Sequence, residues 1–195
     1  MTAGTIARLK ITLDGVEPAV LRRVDVPCDI RLDRLHLVIQ AAMGWGNCHL
    51  YMLRAGDLGW STPDPDDPDD LLDARKARLD DVLDRAGTKT LTYLYDFGDD
   101  WRHTVTLERL LDAEPGALYP RLVEATGRCP PEDVGGAWGY AEFLEAIHNR
   151  KHERHAEFKE WWPGKFDVKE AGADRLQADV AALARRWTRR SRTRA

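Results

Sequence analysis

The residues of this chain with chemistry to offer are histidines and carboxylates. His148, His152 and His155 stand at i, i+4 and i+7, a spacing that sets imidazoles close to one face of a helix. Asp96, Asp99, Asp100 and His103 surround a glycine-containing turn, and Glu132 and Asp133 follow a Pro-Pro pair. Imidazole nitrogens and carboxylate oxygens together suit zinc, manganese or iron, and a metal with an open position can activate water for hydrolysis. His152, His155, Asp99 and Asp100 are therefore the expected metal ligands. Asp99, Asp100, His103, Glu132 and Asp133 are the candidates for catalytic work. Against this stands the polarity of His152-Glu153-Arg154-His155, a run typical of a solvated helix face. Sequence spacing does not supply coordination geometry.

Other chemistries are excluded more firmly. Ser61 and Ser191 are the two serines, one in an acidic loop and one in an Arg-rich end, and neither sits in a G-x-S-x-G turn. Cys48 and His49 are adjacent, but in the strand expected over Cys48–Ala55 neighbouring side chains point to opposite faces. Phosphate-loop and dinucleotide motifs are absent. Three widely spaced cysteines, Cys28, Cys48 and Cys129, form no CxxC pair, which argues against a zinc ribbon and for a reducing, cytoplasmic setting. The N-terminal residues lack the pattern of a signal peptide. No apolar run approaches the roughly 20 residues that span a bilayer.

These groups must be positioned by strands first and helices last. Thr5–Leu13 alternates in polarity and predicts a strand, with a second from Ala19 to Val26 and a further one at Arg121–Thr126. Leu32, Leu35, Ile39, Ala42 and Met43 share a helical face that ends at Gly44. A short helix is expected over Leu79–Arg85, ended by Gly87. Residues 91–97 and 101–107 form a hairpin about Gly98-Asp99-Asp100, with Tyr93, Tyr95 and Phe97 on one face opposite Trp101, His103 and Val105. Helices are expected at Tyr140–Asn149, Glu153–Trp162 and Ala173–Trp187. The class is α+β: a mostly antiparallel sheet covered by helices, with a helical C-terminal third. One domain over residues 1–184 is expected, interrupted by a solvated Pro/Asp loop at 61–70 that lacks the glycine turn and terminal Glu of a calcium loop.

Aromatic residues and charge bear on partners. Trp101, Trp138, Trp161 and Trp162 could stack on bases, but aromatics in strands and amphipathic helices more commonly pack in the core. His36 in Leu35-His36-Leu37 reads as a satisfied core histidine. Residues 185–195 carry six Arg and no acid, and without them the body holds 23 basic and 33 acidic residues, a charge of −10. Such a body repels phosphate, so weak nucleic-acid contact is expected only through a disordered Arg tail at 185–195.

Several segments together resemble the plasmid pRiA4b ORF-3-like family. The hairpin run Tyr95-Asp96-Phe97-Gly98-Asp99-Asp100-Trp101-Arg102-His103 carries the likeness, with Cys129-Pro130-Pro131-Glu132-Asp133-Val134-Gly135-Gly136 and Trp138-Gly139-Tyr140. Leu35-His36, Ile39-Gln40, Met43-Gly44-Trp45, His49-Leu50 and the His152/His155 pair support it, over roughly residues 5–170. The chain departs from the pattern at Leu21, Tyr51 and Ala137, where Trp, His and Pro are usual; Tyr51 weakens a metal site that needs histidine there. The resemblance implies an α+β protein encoded on plasmids or carried by insertion elements, with no established activity. Two functional readings follow. One is a non-enzymatic binding or accessory protein linked to mobile DNA, with no cofactor and a protein partner. The other is a metal-dependent hydrolase or nuclease using a His/carboxylate site.

Overall fold

The computed structural model describes residues 4–63 and 71–192, with side chains described through Thr188. Its centre is one sheet of eight strands: β1 (Thr5–Leu13), β2 (Val20–Pro27), β3 (Tyr51–Ala55), β4 (Leu58–Ser61), β5 (Leu72–Asp73), β6 (Thr90–Tyr95), β7 (Trp101–Asp112) and β8 (Arg121–Thr126). Their spatial order is β5-β4-β3-β6-β7-β1-β2-β8. Every pairing is antiparallel except β4 with β5. The helices are α1 (Leu32–Met43), α2 (Leu79–Ala86), α3 (Gly136–His148), α4 (His155–Trp161) and α5 (Ala173–Arg192). The fold is α+β.

Alternation in the sequence decides which face is buried. Ala7, Leu9, Ile11 and Leu13 of β1 point into the core, joined by Val20, Val24 and Val26 of β2 and Tyr93, Tyr95, Trp101 and Val105 of the hairpin. On the opposite face Arg8 pairs with Asp25 directly across the β1–β2 ladder through two hydrogen bonds of 2.7 and 2.8 Å. Arg23 bridges Glu108 and Glu124 on the same face. Helix α1 buries Leu32, Leu35, Val38 and Ile39 and stops at Gly44, whose left-handed φ of 85° returns its N–H to Gln40 O at 2.9 Å.

Several expectations change. The stretch before β3 is a loop until Tyr51, so Cys48 and His49 are not strand neighbours. Strands β4 and β5 are too short to show a periodicity, and β7 continues to Asp112 rather than stopping at Leu107. Phe97 does not join the buried face of Tyr93 and Tyr95: the chain leaves the strand at Asp96 (φ 57°), and Phe97 is 47% exposed. Trp101 is buried, but Trp138 is 91% exposed and Trp161 is 44% exposed, because α3 and α4 each spend their inward face on smaller rings and aliphatics. Helix α5 runs on through Arg192, so the backbone of 185–192 is helical where a disordered tail is expected. Its inward Val180 and Ala184 extend the contact with α1 and β8, which carries the helix past residue 184. Of the Pro/Asp loop, residues 64–70 lie outside the described residues, and Ser61 is the last residue of β4. No described helix is long and apolar enough to cross a membrane.

Candidate His49 metal site

Three loops meet at one end of the sheet: residues 44–50 between α1 and β3, residues 96–100 between β6 and β7, and residues 127–135 leading into α3. The non-glycine residues with left-handed φ among the described residues are Asn47 (58°), Asp96 (57°), Asp100 (56°) and Asp133 (59°), and all four lie in these loops. Such conformations cost free energy unless neighbouring contacts hold them, and they concentrate at functional sites.

The contacts that hold them are visible. A closed ring of hydrogen bonds supports Asn47 from below. Asn47 N–H donates to Gln40 Oε1 (3.1 Å), Gln40 Nε2 to Tyr93 Oη (2.9 Å), Tyr93 Oη to His36 Nδ1 (2.8 Å), and His36 Nε2 to Asn47 Oδ1 (2.6 Å). The acceptor at Asn47 assigns the His36 proton to Nε2. His36 also stacks on Tyr51 at 3.7 Å, which makes Tyr51 a core residue. Burial lowers the His36 pKa to about 4, so the imidazole is neutral.

A second set stitches the loops to one another. Tyr95 Oη donates to Glu132 Oε1 at 2.6 Å and accepts from the Cys48 N–H at 3.0 Å. Gly46 N–H donates to Glu132 Oε2 at 2.8 Å, and Trp45 Nε1 to Pro130 O at 3.0 Å. Asp96 Oδ1 accepts from Gly98 N–H, and Asp99 Oδ2 accepts from Gly135 N–H at 3.1 Å. The Gly135-Gly136 pair is required here. A Cβ on Gly136, whose φ is 66°, would lie 2.4 Å from Asp99 O.

His49 projects into this junction. Its Nε2 lies 3.1 Å from Asp133 Oδ1 and 3.6 Å from Asp96 Oδ2. Although solvent does not reach it, Nε2 makes no aligned hydrogen bond to either oxygen. Cys48 Sγ lies 3.5 Å from Glu132 Oε1, so Cys48, His49 and Glu132 form a second cluster sharing the same imidazole. Within each cluster the ligand-type atoms are within 4.8 Å of one another. One imidazole nitrogen with two carboxylates and an adjoining thiol is a mixed donor set suited to a borderline divalent ion such as zinc. Desolvation and the Glu132 carboxylate push the Cys48 thiol up, which favours the protonated form in the absence of a cation. Burial and then Glu132 likewise raise Tyr95, fixing its phenol as a donor.

A family model described as plasmid pRiA4b ORF-3-like protein matches residues 5–175. The chain belongs to this family. Uncharacterised protein y4hQ of Sinorhizobium fredii is 50% identical over 189 residues, covering 96% of this chain and 97% of the relative. The crystal structure of MM3350 from Methanosarcina mazei Go1, a protein of unknown function, superposes with a TM-score of 0.76 at 31% identity, covering 86% of this chain and 95% of that one.

The pRiA4b ORF-3-like fold brings to the junction two of the residues expected for catalysis, whereas none of His152, His155, Asp99 and Asp100, expected to hold a metal, belongs to either His49 cluster. Asp133 and Glu132 reach the His49 junction. Asp99 spends a carboxylate oxygen on Gly135, and Asp100 pairs with Arg102 at 3.0 Å on the surface. His103 is fully buried beneath the junction, with Nδ1 3.1 Å from Trp101 O, and burial lowers its pKa to about 4. His148, His152 and His155 do not share one helix, because α3 ends at His148, His152 lies in the turn that follows and α4 begins at His155. His155 Nδ1 donates to Ala146 O at 2.7 Å, and His152 Nδ1 accepts from Arg154 N–H. His49, Asp96 and Cys48 are the residues that spacing did not place in a site. The available signals were Asn47 and Asp96 beside glycine-containing loops, and the His-Leu match to the family.

Proposed function

We propose that this protein is a divalent-metal-binding accessory protein whose metal-facing groups are His49, Asp96 and Asp133, with Cys48 and Glu132 alongside. The observation that carries the reading is the water-shielded His49 Nε2, set 3.1 and 3.6 Å from two carboxylates without a hydrogen bond to either. A cation among these atoms would give the imidazole lone pair a partner and relieve the repulsion between Asp96 and Asp133. The accessory role is supported by Glu132. Both its oxygens are engaged, by Tyr95 and Gly46, which leaves it poorly placed to act as a general base.

The hydrolase or nuclease reading is supported by Asp133, whose side chain is largely open to solvent and leaves one side of the junction approachable. A link to mobile DNA draws support from the Arg-rich end of α5, where Arg185 and Arg186 are exposed. Zinc titration of chelator-treated protein by calorimetry tests the main reading, with manganese as comparator. Wild type should bind one equivalent. His49→Ala and Asp133→Asn should each lower affinity at least tenfold, whereas His152→Ala should leave it unchanged. Wild-type protein that takes up no zinc, or a His49→Ala variant that binds as wild type does, would refute it.

A further inference from the structure

The loop 127–135 has a second side. Glu132 and the Pro130-Pro131 pair, which face the His49 junction, also border a cavity of about 480 Å3 lined by Trp45, Trp161, Trp162 and Phe166. The cavity also receives two cations, Arg128 and Arg175, and two carboxylates, Glu132 and Glu170.

Arg128 is the distinctive group. Its guanidinium lies over two rings, its carbon 4.5 Å from the centre of Phe166 and 5.3 Å from that of Trp162. Cation–π contact of this kind uses the charge of the guanidinium and not its N–H donors, so its edge can still donate hydrogen bonds. Among the described residues that edge makes no ion pair, whereas Arg23, Arg31, Arg75 and Arg154 all do. The Arg128 backbone N–H donates to Val168 O at 2.8 Å, which fixes the residue's position. Beside it, Trp162 Nε1 is shielded from water and has no hydrogen-bond partner. Two kinds of donor are thus held on an aromatic wall with no acceptor.

We infer that this cavity binds a small organic anion bearing a planar ring with an exocyclic amine, of the size and chemistry of a nucleoside monophosphate. A phosphate would take the edge of Arg128 as a fork, with Arg175 at the mouth and Trp162 Nε1 as a further donor. The ring would stack on the exposed face of Trp161, a contact open to any flat heterocycle. Glu170 would accept from the amine, which explains why an anion site contains that carboxylate. The volume also matches a ligand of that size. The site stands whether or not a metal binds at His49.

The test uses full-length, chelator-treated protein, adenosine monophosphate as probe, and tryptophan fluorescence with calorimetry as readouts. Adenosine monophosphate should quench the fluorescence and saturate. Adenosine, lacking phosphate, and ribose 5-phosphate, lacking the ring, should each bind at least tenfold more weakly. Arg128→Gln should lower affinity to the adenosine level, with partial recovery in Arg128→Lys. Arg175→Gln, at an exposed position, keeps the test available if Arg128→Gln does not fold, and should weaken adenosine monophosphate severalfold while leaving adenosine unchanged. No saturable signal at millimolar nucleotide, equal affinity for adenosine and its monophosphate, or a folded Arg128→Gln protein that binds as wild type does would each overturn the inference.

Discussion

His36 and His103 make this fold sensitive to mild acid, by an amount that the structure sets. Both imidazoles are buried and have a pKa lowered to about 4 from an ordinary value of 6.5. In the unfolded chain each binds a proton as pH falls through 6.5, while the folded protein resists until about 4. The unfolded state therefore holds more protons across this window, and stability falls as pH drops through it and levels off below it. From pH 7 to 4.5 each histidine should cost about 2 kcal/mol, at about 1.4 kcal/mol per pH unit of mismatch. Asp73, held down to about 2 by Arg75, loses its contribution only below this range and does not blur it. The physical reason differs between the two histidines. His103 Nε2 has no acceptor to receive a second proton, and protonation of His36 breaks the ring that holds Asn47. Urea unfolding of wild type and His103→Phe at pH 7 and 4.5 measures the effect. The variant should lose about 2 kcal/mol less than wild type between the two pH values, whatever its stability at pH 7. Equal losses in both proteins would refute the assignment of His103 as a buried neutral imidazole.

Two further outcomes follow from burial. Trp101→Ala should cost about 3–5 kcal/mol, read as a large drop in melting temperature, because Trp101 is 1% exposed; Trp138→Ala should shift stability by less than about 0.5 kcal/mol at 91% exposure. Ending the chain at Ala184 should cost about 2 kcal/mol by thermal unfolding, since it removes the partly buried Trp187, whose ring lies 5.0 Å from Arg34; an unchanged melting temperature would mean that the end of α5 is not docked.

The two classes of element differ in how much of them the sequence shows, and the difference has a physical cause. Regular elements announce themselves through period and punctuation. Leu13 closes β1 before the Asp14-Gly15 turn, Gly44 ends α1, and Arg121–Thr126 forms β8 over the expected residues. Those limits are local properties of backbone and side chain, so one sequence suffices. Short strands such as β4 and β5 escape, because four and two residues are too few to show alternation and their pairing is supplied by distant chain. The site is decided at longer range. Asp133 and Glu132 stand out as acids after a Pro-Pro turn, but nothing local ties them to His49, 84 residues earlier than Asp133. Adjacency even argues against His49, since a strand would have sent Cys48 and His49 to opposite faces, and only the Asn47 turn held by His36, Gln40 and Tyr93 abolishes that strand. The helix expected to carry His152 and His155 likewise begins only at His155, which leaves His152 in the preceding turn. Sequence by itself therefore determines the family, the α+β class and most element limits, which depend on near neighbours. Tertiary structure alone decides which carboxylates meet which imidazole, because left-handed loop residues can be held only by contacts from elsewhere in the chain.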